Sequence, residues 1–307
     1  MKTFKHVIVA GIDGAGAFYK VADTPFFDRI FADGAITYCA LASNPTISAE
    51  CWASMLLGVG PEVHKLTNEI ISSRKYPVDS GYPSLFRRIR EAMPDAVLGS
   101  FCDWNPITYG IVEDNLNVYN ETARDTALTP VICDFIKEKK PTFLFCHFDS
   151  VDHEGHLHGY GSKEHLDRIH EVDILVNDVY EAVRRAGIID DTLFILITDH
   201  GGTPFNGTGA GHGGWTDAEK YDTFAATGHN VIHGAVGDMN IRDLSAIVLY
   251  ALGLKIPDFD EHGWTSQIPE NLFDDAGIPA YKDISHLTGA EPRRSNIQHT
   301  SEPADQN

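Results

Sequence analysis

Asp13 closes an apolar run at residues 6–13 (HVIVAGID) and is flanked by Gly11 and Gly14. Farther along, Asp149-Ser150-Val151-Asp152-His153-Glu154-Gly155-His156-Leu157-His158-Gly159 follows a second apolar run. Three histidines and three carboxylates in eleven residues are hard to explain as core packing. A third run ends in Thr198-Asp199-His200-Gly201-Gly202, and Gly211-His212-Gly213-Gly214 comes soon after. Imidazole and carboxylate together suit zinc, and also manganese or iron. The zinc-protease spacing H-E-x-x-H is absent, because Leu157 occupies the place of its second histidine. The structural alternatives are a turn aspartate for Asp13 and a satisfied buried ion pair for Asp199 and His200. Their common position at the ends of apolar runs weighs against both.

A candidate nucleophile lies in residues 44–58 (NPTISAECWASMLLG). Pro45 interrupts the chain, a helical run starts near Ser48, and Gly58 stops it. Ser48 is a good N-cap, which is its plain structural reading. A helix N-terminus also collects anions on its free N–H groups. A hydroxyl there can attack phosphorus while the amides hold phosphoryl oxygens. Thr46 is the rival hydroxyl. Trp52, Trp104 and Tyr160 could line such a pocket, although packing is the more common role of each.

These residues need a scaffold that brings strand ends together. Residues 6–13, 142–149 and 192–200 read as strands, with weaker signals at 37–43, 96–101 and 230–236. Their continuous apolar character predicts strands buried on both faces. Helical spacing appears at 84–93, 126–139, 163–186 and 243–252, with Gly187 ending the third of these. The alternation predicts an α/β fold with a central, mostly parallel sheet covered by helices on both faces. In such sheets ligands bind beyond the carboxyl ends of strands. Residues 1–287 read as a single catalytic domain, and 288–307 as a polar tail.

The chain has 307 residues, 43% of them hydrophobic, enough for a sizeable core. Its formal charge of −20 argues against a standing nucleic-acid partner or an anionic membrane surface. Five cysteines without a C-x-x-C pair suggest a reducing compartment. No signal peptide or bilayer-length apolar run is evident. The expectation is a soluble, cytoplasmic protein.

Taken in order, the four clusters resemble the alkaline phosphatase superfamily. They look closest to its nucleotide pyrophosphatase/phosphodiesterase (type I phosphodiesterase) branch. The resemblance runs from about residue 6 to about residue 257. It rests on an early strand-end Asp, a Ser opening a helix that ends in Gly, a D-x-x-x-H-x-x-G segment, a D-H-G segment and a late His beside glycine. It implies an alkaline-phosphatase-like fold and a two-metal hydrolase of phosphate esters. One metal would lie on Asp152, His156 and His212, the other on Asp13, Asp199 and His200. Ser48 would be the nucleophile and pass through a phospho-serine intermediate. The shifted pair Asp149 and His153 has the same spacing but lacks the following glycine. Two divalent ions, zinc first and manganese or iron next, and a small phosphate ester are the expected ligands. A phosphodiester is favoured; a phosphomonoesterase or a phosphomutase-type isomerase is the alternative. A mutase would need a basic clamp, for which only His64 and Lys65 stand nearby.

Overall fold

Side chains along a strand alternate between the two faces of a sheet, and here both faces are apolar. Val7 and Val9 enter one buried cluster, whereas Ile8, Ala10 and Ile12 enter another. Phe143 and Phe145 lie on the first side, and Leu144, Cys146 and Phe148 on the second. This is why the strands read as unbroken hydrophobic runs. The computed structural model describes residues 3–205, 209–275, 277–284 and 287; the tail expected at 288–307 lies outside them.

The strands are β1 (His6–Ile12), β2 (Ala35–Leu41), β3 (Leu98–Cys102), β4 (Tyr119–Glu121), β5 (Phe143–Phe148), β6 (Thr192–Thr198), β7 (Tyr221–Thr227) and β8 (Gly234–Ala235). They form one sheet in the order β4-β3-β5-β1-β6-β7-β2-β8. The pairs β6·β7 and β2·β7 are antiparallel, and the other pairs are parallel. Helices Ser48–Leu57, Leu85–Ala92 and Leu244–Ala251 feed the first cluster. Helices Asp125–Lys139 and Lys163–Arg185 feed the second. The result is the layered α/β architecture expected from the sequence.

Three details differ from the sequence reading. The short edge strand β4 and the antiparallel strand β7 were not anticipated. Residues 230–236 contribute only the two-residue β8. Residues 150–158, read as a ligand-rich segment without assigned structure, form a helix, Ser150–His158. Among the described residues, no helix is long and apolar enough to cross a membrane.

Candidate active site

The register of the three central strands sets the site. Ile12 is level with Phe148 on one side and Thr198 on the other. The next residues, Asp13, Asp149 and Asp199, therefore leave the sheet together at its carboxyl edge. Asp152 and His156 follow on the helix after β5, four residues apart and so on one face, with Asp152 Oδ2 3.2 Å from His156 Nε2. Gly14 makes room for that helix: its φ is 68°, and a Cβ there would collide with Asp152. Only glycine accepts both conditions at no steric cost.

The seven residues singled out above form one connected cluster. Ser48 Oγ lies 3.4 Å from Asp13 Oδ1 and 3.2 Å from His200 Nε2. His200 Nε2 lies 3.5 Å from Asp13 Oδ1 and 3.3 Å from Asp199 Oδ2. The His200 and His212 rings stack with centroids 3.8 Å apart. His212 Nε2 faces His156 Nε2 at 3.2 Å and Asp152 Oδ1 at 4.0 Å.

Donor atoms of Asp13, Asp199 and His200 approach one another closely enough to hold an ion, and so do those of Asp152, His200 and His212. His200 thus stands between the two groups. His156 completes the second through its contacts with Asp152 and His212, on the more exposed side. His200 Nδ1 lies 2.9 Å from the Gly201 carbonyl, and His212 Nδ1 2.7 Å from the Thr46 carbonyl. An imidazole that donates through Nδ1–H leaves its Nε2 lone pair for a ligand or metal. Both Nε2 atoms point into the cluster. Asp199 Oδ2 is buried there without a hydrogen-bond partner. Lone pairs from four elements thus converge, and this donor set fits divalent cations.

The electrostatics reflect that crowding. Burial, with the neighbouring His212, pushes His200 down to about 4, so it is neutral and able to ligate near neutrality. Burial and the Asp13 charge push Asp199 well above the usual carboxylate range. Burial would raise Asp152 too, but the hydrogen bond from His156 and the nearby His200 and His212 outweigh it and hold Asp152 below that range. The same hydrogen bond raises His156.

The rival assignments go elsewhere. The Thr46 hydroxyl is fully buried; it donates to the Gly214 carbonyl at 2.9 Å and accepts the Gly213 N–H at 2.9 Å. It braces the loop that carries His212. His153 lines a separate cavity of about 320 Å³ with Asp103, Arg124 and Arg168. His64 is buried against Ser54 and the Leu66 N–H, and Lys65 is exposed. Trp104 packs half-buried against the first core cluster. One local expectation is corrected. Ser48 is not the N-cap: Ile47 holds that place without a side-chain cap, and Ser48 is the first helical residue. Its hydroxyl is drawn to Asp13 and His200 instead.

His147 and Asn68 escaped sequence reasoning, and Trp52 and Tyr160, considered there only as pocket-lining aromatics, are hydrogen-bond donors to the cluster. His147 is the lone polar side chain in the otherwise apolar β5, and its Nε2 reaches Asp13 Oδ2 at 2.9 Å. With Asp13 and Asp149 it makes a third group of converging donor atoms. Trp52 donates its indole N–H to the same Asp13 oxygen at 2.8 Å. Tyr160 donates to Asp152 Oδ1 at 2.6 Å. Asn68, exposed beside the Ser48 helix, accepts the Ala49 N–H on its Oδ1 at 2.9 Å, which leaves its amide N–H₂ group as a donor. The break in β5's apolar run was the one readable signal.

Residues 100–247 match the type I phosphodiesterase/nucleotide pyrophosphatase family. That span holds Asp152, His156, Asp199, His200 and His212; Asp13 and Ser48 precede it. Among curated proteins, GPI ethanolamine phosphate transferase 2 of Aspergillus fumigatus is 24% identical over 227 residues, 71% of this chain and 29% of the relative. GPI ethanolamine phosphate transferase 1 of Mus musculus is 24% identical over 181 residues, 49% of this chain and 19% of the relative. The chain therefore spans well under a third of these relatives. Murine ectonucleotide pyrophosphatase/phosphodiesterase 5 has a similar fold, with a TM-score of 0.67 and 16% identity over 82% of this chain and 96% of its own. An inactive form of that murine protein in complex with AMP gives a TM-score of 0.68 at 16% identity, over 86% of this chain and 100% of its own.

Proposed function

We propose that this chain, a member of the alkaline phosphatase superfamily on its nucleotide pyrophosphatase/phosphodiesterase side, is a metal-dependent hydrolase of phosphate esters with Ser48 as nucleophile. The observation that carries the reading is the contact of Ser48 Oγ with Asp13 and His200, at the first residue of a helix. In this reading Asp13, Asp199 and His200 hold one divalent ion, and Asp152, His156 and His212 hold another. Zinc suits the donors, with manganese or iron as alternatives. Bound ions would make the Ser48 hydroxyl more acidic and stabilise charge on the leaving oxygen.

The chain's own groups do the rest. Ser48 gives up its hydroxyl proton to solvent as Oγ attacks phosphorus, and the ester oxygen opposite leaves with the electron pair. The N-terminal N–H groups of the Ser48 helix other than that of Ala49, which Asn68 accepts, and the Asn68 N–H₂ group donate to phosphoryl oxygens. Water then cleaves the phospho-serine, inverting phosphorus a second time and restoring the hydroxyl. A phosphodiester is the preferred substrate, because no Arg or Lys among the described residues contacts any of the seven. The AMP complex of the murine structural relative is consistent with a nucleotide moiety in the substrate.

The curated relatives favour a second reading, phosphoryl transfer. Both are named ethanolamine phosphate transferases. The first step would be unchanged, and an alcohol would replace water in the second.

The test is an aryl phosphodiester assay of zinc- or manganese-loaded protein, with acid quench and mass analysis of the Ser48 peptide. The expected result is turnover with a phosphorylated Ser48, and loss of both in Ser48→Ala. Undiminished turnover in that variant would refute the nucleophile assignment. An added alcohol that diverts product to a new diester would favour the transferase.

A further inference from the structure

The neighbours of Asp13 divide between its two oxygens. Oδ1 faces Ser48 Oγ and His200 Nε2. Oδ2 faces the Trp52 indole N–H at 2.8 Å and His147 Nε2 at 2.9 Å. Asp13, Trp52 and His147 are all fully buried or nearly so, with relative exposures of 1%, 0% and 0%. Indole N–H is a donor only. An ion placed on Oδ2 would therefore crowd a hydrogen atom, although Asp13, His147 and Asp149 bring three donor atoms close together.

His147 has no competing polar attachment among the described contacts. Its Nδ1 is buried without a hydrogen-bond partner. Its ring meets the Trp52 ring edge-on, with centroids 5.0 Å apart. Burying an imidazole with one nitrogen unsatisfied is costly, so core packing alone would favour an apolar side chain at this position.

We propose that Trp52 and His147 are positioning residues that clamp Asp13 Oδ2, so that Asp13 offers Oδ1 alone to the metal it shares with Asp199 and His200. The inference rests on the metal-centre reading above. A carboxylate held by two N–H donors cannot swing its second oxygen into the site, so it enters the metal centre already oriented. Trp52 also sits four residues after Ser48 on the same helix. One rigid element therefore spaces the nucleophile from this ligand, with Ser48 on one oxygen of Asp13 and Trp52 on the other.

The test uses three variants of the whole chain: Trp52→Phe, which removes only the N–H donor, His147→Leu, and His147→Gln, whose amide can place an N–H near the lost Nε2. Zinc affinity is measured by chelator competition on metal-stripped protein, together with melting of that stripped protein. Trp52→Phe and His147→Leu are expected to weaken one of two zinc equivalents by about 10- to 100-fold, the range for lost outer ligand contacts, and to spare the other. His147→Gln is expected to recover most of the loss. Wild-type affinity for both equivalents in Trp52→Phe and His147→Leu, with only the melting temperature lowered, would reduce the pair to core packing and overturn the proposal. A wild-type chain that binds no zinc would overturn the metal-centre reading itself, and this inference with it.

Discussion

Tyr160 stands to Asp152 as Trp52 stands to Asp13. Its hydroxyl donates to Asp152 Oδ1 at 2.6 Å from a side chain that is 1% exposed. Its ring also meets His156 and His212 edge-on. Burial and the adjacent Asp152 carboxylate drive the Tyr160 phenol far above its ordinary value, so it remains a donor at any working pH. Tyr160→Phe removes that donor and little volume. A hydrogen bond to a charged group contributes about 1.5–3 kcal/mol. The variant should fold normally but bind metal on the Asp152 side about 10-fold more weakly or worse. Zinc titration of stripped protein checks it, and unchanged affinity would assign the contact to packing alone.

Thr46 and Ser48 are two residues apart and should fail differently. Thr46 holds the Gly213–Gly214 backbone through its hydroxyl and His212 through its carbonyl. Thr46→Ala should loosen the His212 loop, so that activity falls at limiting zinc and largely returns at excess zinc. Ser48→Ala should stay inactive at every zinc concentration. If Thr46→Ala is the variant that no zinc rescues, the nucleophile has been placed two residues too late.

Substrate charge gives a third expectation. Lys65 and Arg74 are both exposed, and neither contacts the seven-residue cluster. A monoester dianion brings more charge into the site than a diester monoanion. Lacking one charge-assisted contact costs about 1.5–3 kcal/mol, or roughly 10- to 150-fold in rate when the contact belongs to the transition state. The kcat/KM for an aryl diester should therefore exceed that for the matching monoester after correction for uncatalysed reactivity. A clear monoester preference would place the chain with the phosphomonoesterases.

The pH dependence of metal binding follows from two raised groups. In the metal-free chain burial and Asp13 raise Asp199, and the hydrogen bond that His156 donates to Asp152 raises His156. Both must lose their protons to ligate. A group whose metal-free pKa is raised penalises binding below that pKa, so affinity climbs as pH rises through it. Zinc binding should release protons and weaken steadily as pH falls toward and through the ordinary histidine value of about 6.5. Calorimetry in buffers of different ionisation enthalpy reads this directly. A buffer-independent heat and a flat affinity through that value would contradict it.

The sequence by itself determined the layered α/β fold, the three central strands and the order of the chemistry-bearing segments. Continuous apolar runs ending in Asp13, Asp149 and Asp199 are local features, and local periodicity is sufficient to read them. Gly58 and Gly187 ended their helices where expected, because the left-handed backbone there is a local demand. The tertiary structure decided what depends on partners distant in the chain. Strand β7 escaped notice because it buries Asp222 and Thr223, polar residues that break an apolar run. Asp222 is accommodated by the Thr198 hydroxyl of β6 at 2.8 Å, a neighbour that only folding supplies. Trp52, His147, Tyr160 and Asn68 carry no motif for the same reason: each matters through one hydrogen bond to a residue at least eight positions away. That Ser48 turns inward instead of capping its own helix was likewise decided by Asp13 and His200. Local chemistry can offer the Ser48 hydroxyl to the backbone, but only the assembled strand ends place a carboxylate and an imidazole within its reach.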